Sequence, residues 1–148
     1  MSTSRDPTNV RLWSHDGTLL RTLSGHEQVV SCLEFSPDGQ TLASSSDDQT
    51  VRIWSLDGRP LAALHGTAGL TDIVWSSGGD YLASIGGFDT TVRIWSKTGD
   101  PGPVLENCGY PVLAAGFSAD SRHLVTVGDS AIRLWKLEGR PGIGSVNV

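Results

Sequence analysis

His26, Ser44 and Asp48 are the residue types of a nucleophilic triad, in which a carboxylate orients an imidazole and the imidazole takes the proton of a serine hydroxyl. All three lie within one stretch of 23 residues. Such a triad catalyses acyl transfer only where the fold provides an open pocket and donors for the oxyanion. The elements that position the three side chains therefore decide whether they react or only bind one another.

The other candidate ligands do not form a metal or nucleotide site. The two cysteines, Cys32 and Cys108, are 76 residues apart with no CxxC motif, and we expect two reduced thiols. No GxGxxG or GxxxxGK[ST] motif opens a helix, so nucleotide binding has no support. The four histidines do not fall at the spacings of metal ligands: His15, His26, His65 and His123. We therefore predict neither a metal nor a cofactor.

Composition favours a soluble, all-β domain. The 148 residues are 38% hydrophobic and 18% charged, and the 18 Gly and 7 Pro are spread along the chain, as expected where many short strands are joined by tight turns. The net charge is −5 without any basic run, which argues against a nucleic-acid partner. No long apolar segment occurs, so we expect no membrane association and a cytoplasmic location.

A repeat organises the chain. Four tryptophans, separated by 41, 41 and 40 residues, each occupy the same local sequence. The strongest copies are TVRIWS at 50–55 and at 91–96, and NVRLWS at 9–14 and AIRLWK at 131–136 match them. Arginines recur two positions before each tryptophan, on the same face of a strand, where we expect a structural role. The tryptophans are Trp13, Trp54, Trp95 and Trp135.

Each repeat contains short apolar segments separated by turns, with a fourth, weaker strand such as LAAL at 61–64. Four short antiparallel strands in about 41 residues are what a propeller blade requires. The predicted fold class is therefore all-β: a partial β-propeller of three four-stranded antiparallel blades plus the outer two strands of a fourth. We assign residues 1–8 to an N-terminal tail, 9–24 to the outer strands (9–14 and 19–23) of the incomplete blade, and 25–66, 67–107 and 108–148 to three blades.

Several motifs in the first full repeat resemble the WD-repeat family. They are Gly25-His26, SPDG at 36–39 and LASSSDDQTVRIW at 42–54, and the recurring tryptophan extends the resemblance over about residues 9–136. The tandem repeats of bacterial multi-repeat WD proteins are especially similar. The Trp-Asp dipeptide that names the family is absent, because other residues follow the tryptophans: Ser14, Ser55, Ser96 and Lys136.

The resemblance implies a structural role for the apparent triad. In the family, a hydrogen-bonded tetrad links a histidine before the inner strand, a hydroxyl residue in the second strand, an aspartate in the next turn and the tryptophan. Here these residues are His26, Ser44, Asp48 and Trp54. A buried imidazole can bind both the carboxylate and the hydroxyl, and the indole N–H needs an acceptor once buried. We therefore expect no catalysis.

The later repeats keep only part of this pattern. The second has His65-Gly66 in reversed order, and the third has Cys108 where the histidine would fall. The residues retained for partial tetrads are Ser84, Asp89 and Trp95 in the second repeat and Thr126, Asp129 and Trp135 in the third.

Members of the family usually bind partners at the entry to the inner strands and beside the turn aspartate. Phe88 is notable there, because it has no periodic place in a strand and an exposed aromatic is a common interface anchor; alternatively it folds back over the blade edge. Trp75 aligns with Phe35 and Phe117 and is expected in the core. The positions carried over are Val29, Ser31 and Asp47; Gly69, Thr71 and Phe88; and Pro111, Leu113 and Gly128.

Three and a half blades cannot close a ring of 4 to 8 blades. We therefore expect either a piece of a longer propeller or closure by assembly with another copy. The favoured function is a scaffold for protein–protein interactions. The alternatives are a regulatory or sensor segment of a multidomain signalling enzyme and a purely structural module.

Overall fold

The computed structural model describes residues 6–65, 69–87, 90–106, 108, 111–128, 131–137 and 144–146, and every regular element in them is a strand. In chain order the strands are β1 Val10–Trp13, β2 Leu19–Leu23, β3 Val30–Phe35, β4 Thr41–Ser46, β5 Thr50–Ser55, β6 Pro60–His65, β7 Leu70–Trp75, β8 Tyr81–Gly86, β9 Val92–Ser96, β10 Pro101–Leu105, β11 Val112–Phe117, β12 His123–Gly128, β13 Ala131–Lys136 and β14 Gly144–Val146.

These strands form four antiparallel sheets, each in simple chain order. Strands β1 and β2 pair with each other, and β3–β6, β7–β10 and β11–β14 form three four-stranded sheets. We call these sheets the half blade and blades 1, 2 and 3. The predicted fold class is confirmed.

Turn chemistry explains why the first two strands of a blade fold back on each other. After β3, the Ser36 hydroxyl donates to the Asp38 carboxylate (2.6 Å), and Gly39 adopts a φ of 66°, which a residue without Cβ tolerates easily. The amide of Gly39 donates to the Ser36 carbonyl (2.8 Å) and closes the turn. The SPDG segment thus acts as the tight corner that its sequence predicts.

Neighbouring sheets pack face to face, and each blade uses one face against the preceding sheet and the opposite face against the following one. Val51 and Ile53 of blade 1 lie in one buried cluster with Ile73, Trp75 and Trp95 of blade 2. The valine and isoleucine face of one blade therefore covers the tryptophan face of the next. A matching cluster joins blade 2 to blade 3, and a smaller one joins the half blade to blade 1.

The first strands of the three complete blades are the inner strands, β3, β7 and β11, and they run side by side in one direction. Cys32 of β3 donates to the Asp72 carboxylate of β7 (3.2 Å), and further along the same strands Glu34 accepts the amide of Trp75 (3.0 Å). At the far end, the turns after β7 and β11 also touch, since Ser77 donates to the Ser118 carbonyl (3.3 Å). The entries to the inner strands therefore lie together at the opposite end, which we call the entry end.

The observed strand bounds differ slightly from the predicted ones. Residues 19–23 match, whereas 9–14 shortens to Val10–Trp13 and 61–64 lengthens to Pro60–His65. The last described strand of the third predicted blade, 108–148, is Gly144–Val146. Within the described residues, no helix has the length and apolarity needed to cross a membrane.

Candidate functional site

The first full repeat brings His26, Ser44, Asp48 and Trp54 into one hydrogen-bonded network. His26 lies in the loop before β3, Ser44 in β4, Asp48 in the turn after β4, and Trp54 in β5. The imidazole contacts Asp48 through Nδ1 (2.9 Å to Oδ2) and Ser44 through Nε2 (2.7 Å to Oγ). The Trp54 indole donates to the same Ser44 hydroxyl (2.8 Å).

The partners fix how this network is protonated. Asp48 is an acceptor, so Nδ1 of His26 carries the proton and Nε2 accepts from Ser44, which in turn accepts from the indole. Burial lowers the pKa of His26 below its ordinary 6.5, although the hydrogen bond and charge of Asp48 oppose that shift. Burial alone would raise the pKa of Asp48, but hydrogen bonds from Thr50, the Glu27 amide and His26 outweigh it and hold the pKa well below its ordinary value.

Thr50 belongs to the network and was not predicted. Its hydroxyl donates to Asp48 Oδ1 (2.6 Å) and lies 3.2 Å from Nδ1 of His26, and its amide also binds Asp48 Oδ1 (2.9 Å). Between them, Gln49 adopts a left-handed φ of 68° that tightens the turn. The Asp-x-Thr spacing in DDQT could have identified Thr50, since aspartate often binds the backbone two residues further on.

Position 25 requires a glycine because the arginine of the same repeat leaves no room for a Cβ. A Cβ on Gly25 would lie 2.8 Å from Arg52 Nη1 and 3.1 Å from a ring carbon of Trp54. The Arg52 guanidinium stands over the Trp54 ring, with 6.0 Å from its central carbon to the ring centroid. Arg52 therefore packs on the tryptophan, in agreement with a structural role for the repeated arginine.

The geometry does not provide hydrolytic chemistry at these residues. Ser44 is 0% exposed, and its hydroxyl is held between the imidazole and the indole. A substrate carbonyl could not reach it without displacing Trp54. Among the residues that the structure describes, no group of three His, Cys, Asp or Glu side chains could hold a metal ion, and Cys32 and Cys108 form no disulfide.

Blades 2 and 3 keep the indole contact without the histidine. Trp95 donates to Ser84 (3.0 Å), and Trp135 donates to Thr126 (3.0 Å). Cys108, in the place of the histidine, is buried and donates its thiol to the Leu105 carbonyl (3.3 Å). The remaining members predicted for the partial tetrads, Asp89 and Asp129, lie outside the described residues.

The exposed residues of the predicted binding face that the structure describes lie at the entry end. Val29 is 47% and Leu113 is 67% exposed, and Pro111 is exposed as well. Ser31 donates to the Asp47 carboxylate (3.1 Å), and both residues face solvent.

The rest of the predicted binding face is less open or is not described. Gly69 is half-buried with a φ of 60°, and Gly128 is buried under the Pro111 carbonyl. Phe88 and the side chain of Thr71 lie outside the described residues. Trp75 is 5% exposed and belongs to the core, as predicted.

A family model described as "WD domain, G-beta repeat" matches the chain at residues 17–55, 58–96 and 101–136. A search among curated proteins gives no match. Each matched unit contains the last strand of one sheet and the first three strands of the next: β2–β5, β6–β9 and β10–β13. Every repeat therefore ties two adjacent sheets together through the covalent chain.

Proposed function

We propose that this chain, which belongs to the WD-repeat family, is a non-catalytic scaffold that binds protein partners at the entry end of its inner strands. Repeats of this family generally mediate protein–protein interactions and are generally non-catalytic. The part specific to this chain is the location of the binding surface, and it depends on the residues exposed at the entry end.

The observation that carries the proposal is the exposure of Leu113 and Val29. Leu113 is the second residue of β11 and Val29 directly precedes β3, so both lie where an inner strand begins, and they are 67% and 47% exposed. Large apolar side chains on a rigid surface lose little conformational entropy on binding. They are therefore suitable anchors for a partner.

Polar groups beside these anchors support the same surface. Ser31 and Asp47 are exposed, and their hydrogen bond (3.1 Å) holds the carboxylate at the rim of the entry end. An apolar centre with a polar rim is the usual anatomy of a protein–protein interface. The tetrad of blade 1 supports this surface from below, because His26 and Asp48 join the loop before β3 to the turn that carries Asp47.

The test compares proteins retained from cell extracts by the immobilised 148-residue chain and by its variants, using quantitative mass spectrometry. We expect Leu113→Ser and Val29→Ser to reduce retention of the same partners about tenfold or more, the change expected from about 1.4 kcal/mol of lost binding. The control is Val104→Ser, which alters a 40% exposed side chain on the outer strand β10.

Partners retained equally by all four proteins would contradict the proposed surface. Phe88→Ala extends the test to the predicted aromatic anchor. The assignment to bacterial multi-repeat WD proteins and the cytoplasmic location remain predictions from the sequence.

A further inference from the structure

A carboxylate bridges the inner strands of blades 1 and 2, whose contact we call the inner seam. Glu34 of β3 accepts the backbone amide of Trp75 of β7 through Oε2 (3.0 Å), and the Trp75 indole donates to the Glu34 carbonyl (3.4 Å). Trp75 is buried in the core, whereas Glu34 is half-buried. The Glu34 side chain therefore satisfies a backbone N–H at the joint between two sheets, where no strand ladder continues.

The inner seam holds a second carboxylate. Asp72 of β7 accepts the Cys32 thiol (3.2 Å) and the amide of Ile73 (2.9 Å). Cys32 and Glu34 are two residues apart on β3, so their side chains point to the same face, toward β7. The negative charge of Asp72 acts on Glu34. Two carboxylates thus share a region that is only partly open to water, where like charges repel each other more strongly than in bulk solvent.

No cation compensates these two charges. Among the residues that the structure describes, neither Glu34 nor Asp72 forms an ion pair. Strand β4 contains no ionisable residue, and β7 contains Asp72 alone. From β1, Arg11 lies beside Leu33, whose side chain points to the opposite face of β3. The groups that face Glu34 are therefore the Asp72 carboxylate, the Cys32 thiol and the Trp75 amide.

The two titratable groups of β3 respond differently to pH. Burial raises the pKa of Glu34 above its ordinary 4.5; the Trp75 amide opposes this rise, and the charge of Asp72 adds to it. Burial, the hydrogen bond to Asp72 and the nearby carboxylates also raise the pKa of the Cys32 thiol above its ordinary 9.0. The thiol is therefore protonated at neutral and acidic pH, and Glu34 is the group of β3 that takes up a proton on acidification.

The seam between blades 2 and 3 is apolar at the equivalent position. Val74 holds in blade 2 the position that Glu34 holds in blade 1, since the two residues pair with Ala83 and Ala43 of the respective second strands. Val74 packs in the apolar cluster between blades 2 and 3. Strand β11, which packs on β7, contains no ionisable residue. The paired carboxylates are therefore specific to the inner seam of blades 1 and 2 and are not required by the repeat.

From this arrangement we propose that Glu34 is a proton-sensitive latch between blades 1 and 2, in which proton uptake by the carboxyl group tightens the contact of β3 with β7. The neutral carboxyl group no longer repels Asp72, and its carbonyl oxygen still accepts the Trp75 amide. The ionised group keeps that hydrogen bond but leaves an unpaired, half-buried charge beside a second one.

The sign of the effect follows from the raised pKa. Glu34 binds its proton more readily in the folded chain than in the unfolded chain. Its contribution to stability is therefore fully present below pH 4.5 and is lost as the pH rises through the raised pKa of the folded state. The lowered pKa of His26 acts in the opposite direction, so the two effects are separated by comparing variants at each pH.

The first test is the difference in urea midpoint between Glu34→Gln and the unaltered 148-residue chain, measured at each pH from 8 to 4. Glutamine has the shape of the protonated side chain and can still accept the Trp75 amide. We expect Glu34→Gln to have the higher midpoint at pH 8, and the difference to shrink as the pH falls through the raised pKa, because Glu34 then becomes neutral as well.

The matched control is Glu106→Gln, which alters an exposed glutamate and should show no such trend. A lower midpoint for Glu34→Gln at pH 8 would overturn the proposal, because the charged hydrogen bond to Trp75 would then stabilise the seam. A difference that stays constant over the whole pH range would overturn it as well.

The second test follows the inner seam directly by NMR. The ¹³C-labelled carboxyl signal of Glu34, assigned with Glu34→Gln, and the amide signal of Trp75 should move with one midpoint above pH 4.5. Asp72→Asn removes the second charge but keeps an oxygen that can accept the Cys32 thiol, and it should shift this midpoint toward 4.5. A midpoint at or below 4.5, a Trp75 amide that does not follow Glu34, or an unchanged midpoint in Asp72→Asn would contradict the latch.

Discussion

Blades 1 and 3 bury the same tryptophan against different surroundings. In both, the indole donates to a hydroxyl on the neighbouring strand, at 2.8 Å for Trp54 and 3.0 Å for Trp135. In blade 1 the hydroxyl also binds His26, which joins Asp48. In blade 3 the buried Cys108 stands in the place of the histidine, and Arg133 donates to its carbonyl (3.2 Å). The indole–hydroxyl bond is therefore the part of the network that the repeats share.

The additional groups of blade 1 connect the loop before β3 to the turn after β4. Asp48 receives the Glu27 amide (3.0 Å) as well as Nδ1 of His26, so two residues of the loop depend on one carboxylate. The charge on that carboxylate strengthens both hydrogen bonds. The entry end of blade 1 is therefore held by two hydrogen bonds to one charged group.

The largest difference between blades 1 and 3 should appear in the free energy of unfolding when the hydroxyl that accepts the indole N–H is removed from each blade. Ser44→Ala leaves both the Trp54 indole and Nε2 of His26 without a partner, whereas Thr126→Val leaves only the Trp135 indole. Because an unsatisfied buried polar group costs roughly 1–3 kcal/mol, we expect losses of about 2–4 and about 1–2 kcal/mol in the free energy of unfolding. Urea denaturation followed by tryptophan fluorescence measures both.

An equal loss in the two variants would mean that the His26 arm adds nothing to the indole–hydroxyl bond. A hydroxyl-retaining control, Ser44→Thr, should recover most of the stability if the hydrogen bonds rather than the packing are responsible.

A smaller effect should appear as a dependence of stability on pH that comes from His26 of blade 1. The pKa of His26 is lowered by burial, so the unfolded chain binds the proton more readily than the folded chain. The His26 contribution is therefore fully present above pH 6.5 and is lost as the pH falls through the lowered pKa of the folded state. Asp48, whose pKa is also lowered, adds a second loss below about its ordinary 3.8.

Denaturation midpoints between pH 8 and pH 5 test this dependence. His26→Gln should flatten the profile, and the control His15→Gln, at an exposed turn residue, should leave it unchanged. A profile of the same slope in His26→Gln would show that another group is responsible.

Sequence alone could predict the parts of the fold that depend on local chemistry. The periodic tryptophans, the SPDG corner and the short apolar segments lead to the three four-stranded sheets. The observed bounds of β1 and β6 differ from the predicted ones by one residue at each end, where the alternation of apolar residues weakens. The family resemblance brought four members of the blade 1 network together, but Thr50 was missed because the tetrad does not include it, although the Asp-x-Thr spacing in DDQT points to it.

Other features depend on contacts between repeats and could not be predicted. Leu33 and Ile73 occupy equivalent positions in similar sequences, yet one is half exposed and the other is buried. The difference depends on which sheet lies against each blade. The steric demand on Gly25 likewise appears only once the Arg52 side chain is placed over Trp54.

Solvent exchange of the indole N–H groups in the chain alone tests most directly how far the hydroxyl and the His26 arm protect each tryptophan. Five signals are assigned by single Trp→Phe variants. We expect the Trp54 indole, in the full network, to exchange slowest, Trp95 and Trp135 to be intermediate, and Trp13, at 57% exposure, to exchange fastest. A Trp13 signal as protected as that of Trp135, or a Trp54 signal no more protected than those of Trp95 and Trp135, would contradict the structural role assigned to the hydroxyl and to the His26 arm.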